Sequence, residues 1–138
     1  MNIIFPQREV TYLQELREIN MGDWDGLTFD EIKNQYPDEF KRRGENIADF
    51  AAPNGESFKE CQKRAVKVFD DIIHSTDGNV AICSHAGFNR ALLCYLLKFD
   101  LTDIFDIQQD YGCMNIISID NSDIRIEEIN VKLDDFNC

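Results

Sequence analysis

Val80-Ala81-Ile82-Cys83-Ser84-His85-Ala86-Gly87-Phe88-Asn89-Arg90 is the stretch on which the fold turns. Asn79 to Cys83 (NVAIC) is a short, nearly continuous apolar run, which suits a strand covered on both faces, as in a parallel sheet. The run stops at Ser84, and His85 stands at its carboxyl end. Small residues then lead into Ala91 to Leu97 (ALLCYLL), apolar nearly all round and expected as a buried helix. In open α/β sheets, ligands sit outside the carboxyl ends of strands. A helix start adds unpaired backbone N–H groups and a positive dipole end. Ala86 and Gly87 would let an anion approach that backbone closely. The turn therefore reads as a place for a phosphate with His85 beside it. The plainer alternative, a strand-end histidine that bonds only a carbonyl, fits these residues equally well.

Working outward, Ser57 and Glu60 form a capping box at the start of a helix. Phe58, Cys61, Ala65, Val68, Phe69 and Ile72 follow at three- and four-residue steps as one apolar stripe, and Thr76-Asp77-Gly78 ends it. Upstream, Val10 to Leu16 (VTYLQEL) reads as a short strand, followed by a two-glycine loop. Thr28, with Glu31 three residues on, caps a helix expected from Phe29 to Arg43 and stopped by Gly44. Asn46 to Gly55 is irregular, with a Pro-Asn-Gly turn signal. Downstream, Met114 to Ile119 and Ile124 to Val131 alternate and flank Asp120-Asn121-Ser122-Asp123, the pattern of a hairpin. Strand, helices, strand, helix, strand, strand is an α/β order, with helices covering a mixed sheet.

The length, 138 residues, fits one domain over 1–138 with a hydrophobic core of its own. The net charge of −12 repels nucleic-acid phosphates, and no Lys/Arg stripe offsets it. Much of the acid sits in runs such as Asp120 to Asp135, read as a solvated surface. No apolar stretch is long enough for a membrane span, and Met1 to Gln7 does not read as a signal peptide. Five cysteines lack CxxC spacing, and Cys61, Cys83 and Cys94 fall inside apolar patterns. Buried thiols in a reducing cytoplasm are the simplest account. With two histidines, neither near a cysteine pair, no metal site and no cofactor are expected. Cys83 and Arg90 are similar to the cysteine-phosphatase loop, but that loop holds one residue fewer between them. Cys83 also lies in the apolar run, where a thiolate is disfavoured.

Leu16-Arg17-Glu18-Ile19-Asn20-Met21-Gly22-Asp23-Trp24-Asp25-Gly26 supplies a second candidate. Glu18, between an expected strand and a glycine loop, suits a general acid or base when partly buried, though a lone loop glutamate is more often just solvated. "LREINMGDWDGL" is similar to the Leu-x-Glu…Gly-x-Trp-x-Gly segment of the histidine phosphatase (phosphoglycerate-mutase-like) superfamily. "PNGESF" resembles that family's Pro-Gly-Gly-Glu-Ser turn, and "ICSHAGFNRALLCYLL" its Ser-His-Ala-Gly motif with a downstream Arg. The order and approximate spacing agree from about Val10 to Ile119, and the pattern is most similar to bacterial α-ribazole-phosphatase-like and broad-specificity phosphatase members.

The resemblance implies part of a phosphoglycerate-mutase-like three-layer α/β sandwich and hydrolysis of small phosphomonoesters through a phosphohistidine. Glu18 would be the proton donor to the leaving oxygen, and His85 the second active-site histidine, bonding the transferring phosphoryl group. Ala86, with Gly87, would bind phosphate through the backbone. Trp24 and Glu56 would be structural, and Arg90 an ion-pair partner. The family's Arg-His-Gly motif, which carries the nucleophile and a phosphate clamp on a central strand, does not occur in these residues, nor does its Ser-x-x-Arg-Ala segment. His74, in the last turn of a helix, reads as a surface or capping histidine instead. The chain alone is thus expected to be inactive, and its unpaired strand edges to be closed by new pairings or, the preferred reading, by a homodimer. Three functions remain open: a histidine phosphatase needing its missing half, a phosphate-binding pseudoenzyme, and a plain interaction protein. An upstream Arg-His-Gly strand favours the first, and phosphate binding without hydrolysis the second.

Overall fold

Two capping boxes set the helices that carry the rest of the molecule. In a computed structural model, which describes residues 9–121 and 123–132, the Thr28 hydroxyl accepts from the Glu31 amide while the Glu31 carboxylate accepts from the Thr28 amide. This opens α1 (Phe29–Gln35). Ser57 and Glu60 repeat the arrangement at the start of α3 (Phe58–Ser75). Each cap satisfies otherwise orphaned amides and contributes about 1 kcal/mol.

The single helix expected over Phe29 to Arg43 is two. The chain breaks at Tyr36 (φ −131°, ψ 56°), and Pro37 opens α2 (Pro37–Glu45) as its first residue. Proline has no N–H to continue a helix and pushes the residue before it out of helical geometry, yet it suits a first turn. Gly44 lies inside α2 rather than stopping it. Trp24 is 2% exposed, packed 5.2 Å from Phe50 and 6.2 Å from Tyr36 between ring centres. With Ile32 and Ala52 it forms a small core of its own.

α3 and α4 (Ala86–Leu97) make the main core. The stripe of α3 is buried as its spacing predicts, through Phe58, Cys61, Ala65, Val68 and Phe69. From α4 come Phe88, Ala91, Leu92, Leu93 and Cys94. Each large side chain buried here contributes about 1.5–3 kcal/mol. The last turn of α4 is not buried as expected: Tyr95 and Leu97 are exposed. A 3-10 turn, Leu101–Asp106, then brings Ile104 into the core.

β1 (Met114–Asp120) and β2 (Asp123–Val131) form the expected antiparallel hairpin, with Ile117 opposite Ile126 and Ile119 opposite Ile124. Ile117 and Ile124 lie on one end of the helix pair, Ile126 and Ile129 on the other. Asn121 takes a left-handed conformation (φ 48°) at the turn. Ser122, and from the acidic run Asp134 and Asp135, lie outside the described residues, as does Cys138.

Two expected strands are absent. Val10 to Leu16 ends in a 3-10 turn, Gln14–Leu16, with Tyr12 81% exposed. Asn79 to Cys83 forms no ladder, and Val80 and Ile82 stand exposed. The reason is the same for both: a strand exists only by pairing, and neither run forms a ladder with a described segment. Cys83 is consequently exposed, not buried. Cys61 and Cys94 are buried thiols, and burial pushes them up to about 12 and about 11 respectively, so they stay protonated at neutral pH. No helix among the described residues is long and apolar enough to cross a membrane.

Candidate functional site

The site forms where the Glu18 segment meets the start of α4. His85 is the N-cap residue of α4, extended in backbone (φ −124°, ψ 163°) and exposed. Its carbonyl accepts the first helical bond from the Asn89 amide at 2.9 Å, while its imidazole has no hydrogen bond to a described residue. The plainer reading, a histidine tied to a carbonyl, is therefore not what the structure shows. It is His74 that does this, bonding the Asp70 carbonyl through Nδ1 at 2.7 Å in the last turn of α3.

Glu18 is half-buried and lies across the helix start. Its carboxylate accepts from Gly87 N–H (3.2 Å) and Phe88 N–H (3.0 Å), as well as from its neighbour Ile19 (3.0 Å). These are orphan donors of the first helical turn, and an anion there also meets the positive end of the dipole. Gly87 makes this possible by having no side chain. A Cβ there would lie 2.6 Å from Glu18 Oε1 and 3.0 Å from Ile19 Cγ2. The sequence reading names Gly87 as a phosphate donor; in the structure its amide is taken by Glu18, and the glycine's part is to admit that carboxylate. The Ala86 amide makes no hydrogen bond to a described residue, so it remains open to an anion.

What holds Glu18 in place is Arg64, which the sequence reading did not single out. Its guanidinium grips Glu56 with two bonds, Nε to Oε1 at 2.9 Å and Nη2 to Oε2 at 2.7 Å, with both side chains 12% exposed. The same guanidinium donates to the carbonyls of Glu15 and Arg17, and reaches that of Glu18 at 3.5 Å. It also lies 5.7 Å from the Phe88 ring centre. The Ser84 hydroxyl adds a 2.6 Å bond to the Leu16 carbonyl. Residues 15–18 are thus tied from two sides. The one signal in the sequence is that Arg64 falls three residues after Cys61, next to the apolar stripe.

Glu56 does hold the turn before α3: besides Arg64 it accepts from the Asn20 amide at 3.2 Å. Burial alone would raise its pKa, but the Arg64 and Asn20 hydrogen bonds and the Arg64 charge outweigh that and hold it below the usual glutamate value. Arg90, expected to pair with a carboxylate, instead donates from Nε to the Ile107 carbonyl at 2.8 Å. No group of three metal-ligating side chains occurs among the described residues.

Residues 3–132 match the model of the histidine phosphatase superfamily (branch 1). The chain belongs to the histidine phosphatase superfamily. Among proteins similar to this histidine phosphatase chain is the 6-phosphofructo-2-kinase 1 of Saccharomyces cerevisiae, 31% identical over 107 residues, covering 76% of this chain and 13% of that protein. Among solved structures, Bacillus stearothermophilus YhfR superposes with a TM-score of 0.82 at 26% identity, over 96% of this chain and 67% of that one. The α-ribazole phosphatase of Shigella flexneri shares the fold, with a TM-score of 0.80 at 21% identity over 91% of this chain and 62% of that one. The architecture is therefore α/β, corresponding to part of a phosphoglycerate-mutase-like fold. The histidine phosphatase chain spans a small fraction of the curated relative and somewhat under two thirds of the Shigella structure.

Proposed function

We propose that this chain carries the proton-donor and second-histidine side of a phosphomonoester site, and that by itself it binds phosphate without turning esters over. The observation that carries this reading is the α4 start, where an exposed His85 and an open Ala86 amide stand beside a carboxylate already lying on helix amides. A phosphate dianion fits that place for the reason Glu18 does: backbone donors and a dipole end stabilise negative charge. His85 can add a bond to a phosphoryl oxygen, and Glu18, once displaced toward the ester and carrying a proton taken up from solvent, can pass that proton to the leaving oxygen. Covalent transfer also needs a nucleophile and a charge clamp. Within these 138 residues the only other histidine is His74, engaged at the far end of α3, so among the described residues no second histidine stands beside His85 to accept the phosphoryl. The substrate class proposed is a small phosphomonoester, as the family relationship suggests.

The test pairs binding with turnover. Inorganic phosphate should shift the Ala86 amide resonance saturably, with affinity weakened about tenfold in His85→Ala, the effect of one charge-assisted hydrogen bond. p-Nitrophenyl phosphate should not be hydrolysed faster by the chain than by His85→Ala. Turnover that His85→Ala abolishes, or no phosphate response at Ala86, would sink the reading.

We also propose a homodimer joined through the Asn79 to Cys83 run, whose exposed Val80 and Ile82 and unpaired backbone invite a partner strand. With a charge of −12 on each copy, association should strengthen with salt. Sedimentation should give twice the 16.0 kDa chain mass at 0.5 M salt, where the Debye length falls to about 4 Å from about 30 Å at 0.01 M, and Ile82→Asp should return the monomer. A monomer at every salt concentration would refute it.

A further inference from the structure

Asn54 stands where the family's Pro-Gly-Gly-Glu-Ser turn has a glycine, and it holds the left-handed backbone (φ 60°) that glycine adopts freely. It is also the only asparagine of the chain that is followed by a glycine. That pair has a chemistry of its own. The Gly55 nitrogen can attack Asn54 Cγ, because the attacking residue has no Cβ to block the approach. The N–Cγ bond forms, the Cγ–Nδ2 bond breaks, and Nδ2 leaves as ammonia with the proton that Gly55 gave up. Water then opens the resulting succinimide at either carbonyl, adding hydroxyl to carbon and a proton back to the Gly55 nitrogen. Opening at Cγ leaves aspartate. Opening at the main-chain carbon leaves isoaspartate, with one more methylene in the backbone. Water is the only co-reactant, and Asn54 is exposed to it.

The fold engages the groups that must move. Gly55 N–H donates to the Ala52 carbonyl at 2.8 Å, which ties up the attacking nitrogen. Asn54 Nδ2, the leaving group, donates to Asp23 Oδ1 at 3.0 Å, and the Asn54 carbonyl accepts from Asn20 Nδ2 at 3.3 Å. Gly55 also has little room to swing: a Cβ on it would lie 2.8 Å from the Asn20 oxygen and 3.2 Å from the Gly22 nitrogen. The reaction therefore waits for the two loops to part. As in hydrogen exchange, its rate follows the population of the opened form.

The product does not fit the turn that made it. Oxygen in place of Nδ2 removes the donor to Asp23 and sets a second carboxylate on a spot 3.0 Å from Asp23 Oδ1, where like charges repel. The isoaspartyl form also lengthens the chain where Gly22 and Gly55 are already in close contact. We propose that Asn54 is a self-modification site: contacts between the 20–23 and 52–55 loops hold deamidation off, and each opening risks a permanent loosening of the loop that follows Glu18. The site belongs to this chain's own sequence, because a glycine at position 54 has no side chain to react.

The test follows the tryptic peptide Gly44–Lys59 by mass spectrometry after the whole chain has stood in mildly alkaline buffer, either native or unfolded in guanidinium chloride. Asn54 should convert in the unfolded chain and far more slowly in the native one. Asn46, in the same peptide but followed by the branched Ile47, is the internal reference and should stay intact. Native Asp23→Ala should convert Asn54 about fivefold faster, the gain in opening expected from one lost hydrogen bond. Asn54→Asp, which imitates the product, should melt about 4 °C lower than the parent. Equal rates in native and unfolded chains would overturn the proposal, and that comparison needs no variant to fold. So would a folded Asp23→Ala that converts no faster, or an Asn54→Asp protein as stable as the parent.

Discussion

Arg64→Ala is expected to lower unfolding stability by about 3 kcal/mol in urea titrations, the low end for breaking a buried ion pair because the two side chains retain slight exposure. The loss has two parts. Glu56 is left nearly buried without its cation, and the carbonyls of Glu15 and Arg17 lose their donor. The same variant should release Glu18, seen as shifts in the Gly87 and Phe88 amides. A loss under about 1 kcal/mol would mean that water replaces the guanidinium, and Arg64 would not be the anchor described. The pair also sets an acid limit. Glu56 has a folded pKa below its unfolded value of about 4.3. Its contribution is therefore present above that value and fades as pH falls through the folded one. The slope of stability against pH below about 4.3 should flatten in the Arg64→Ala protein.

Gly22→Ala is expected to be at least as damaging, at about 3 kcal/mol. Gly22 adopts φ +55°, which costs an alanine roughly 1–2 kcal/mol. Its Cβ would also lie 2.1 Å from the Pro53 oxygen and 2.5 Å from the Gly55 nitrogen, and both are backbone, so the turn must move. Overpacking of this kind costs typically about 1–3 kcal/mol. The bonds at risk join the same two loops: Asp23 amide to Pro53 carbonyl at 2.9 Å, and Glu56 amide to Asn20 carbonyl at 2.8 Å. Gly26→Ala is the internal control, with φ +79° but nothing within 4 Å of its Cβ, so only the conformational part should appear. Thermal melts of the two variants should differ clearly, and equal losses would show that the loops yield without cost.

The features legible in the sequence are those whose physics is local. Both capping boxes, the α3 stripe, the hairpin and the His85 turn depend on residues within a few positions of one another, and all are found where their spacing puts them. The break at Pro37 is equally local, but the apolar pattern of Ile32, Tyr36 and Phe40 runs through it and masks it. What could not be read is pairing across distance. Val10 to Leu16 and Asn79 to Cys83 have strand composition, but a strand needs a neighbour that composition does not supply. The candidate site divides in the same way. His85 and Glu18 stand out by motif, whereas the reach of Arg64 to Glu15 spans 49 positions and leaves no local trace. Gly87 was recognised as permissive, but the group it admits comes from 69 positions away.

Those separations also set an order of events. α3 can form from its own cap and stripe, and the hairpin from its own turn, within microseconds. The Glu18 bonds to α4 close loops of 69 and 70 residues and gain nothing until both helix starts exist to receive them. The segment from Glu15 to Ile19 should therefore dock last on folding and peel away first on partial opening, so that this corner exchanges its amide hydrogens sooner than the helix pair beneath it.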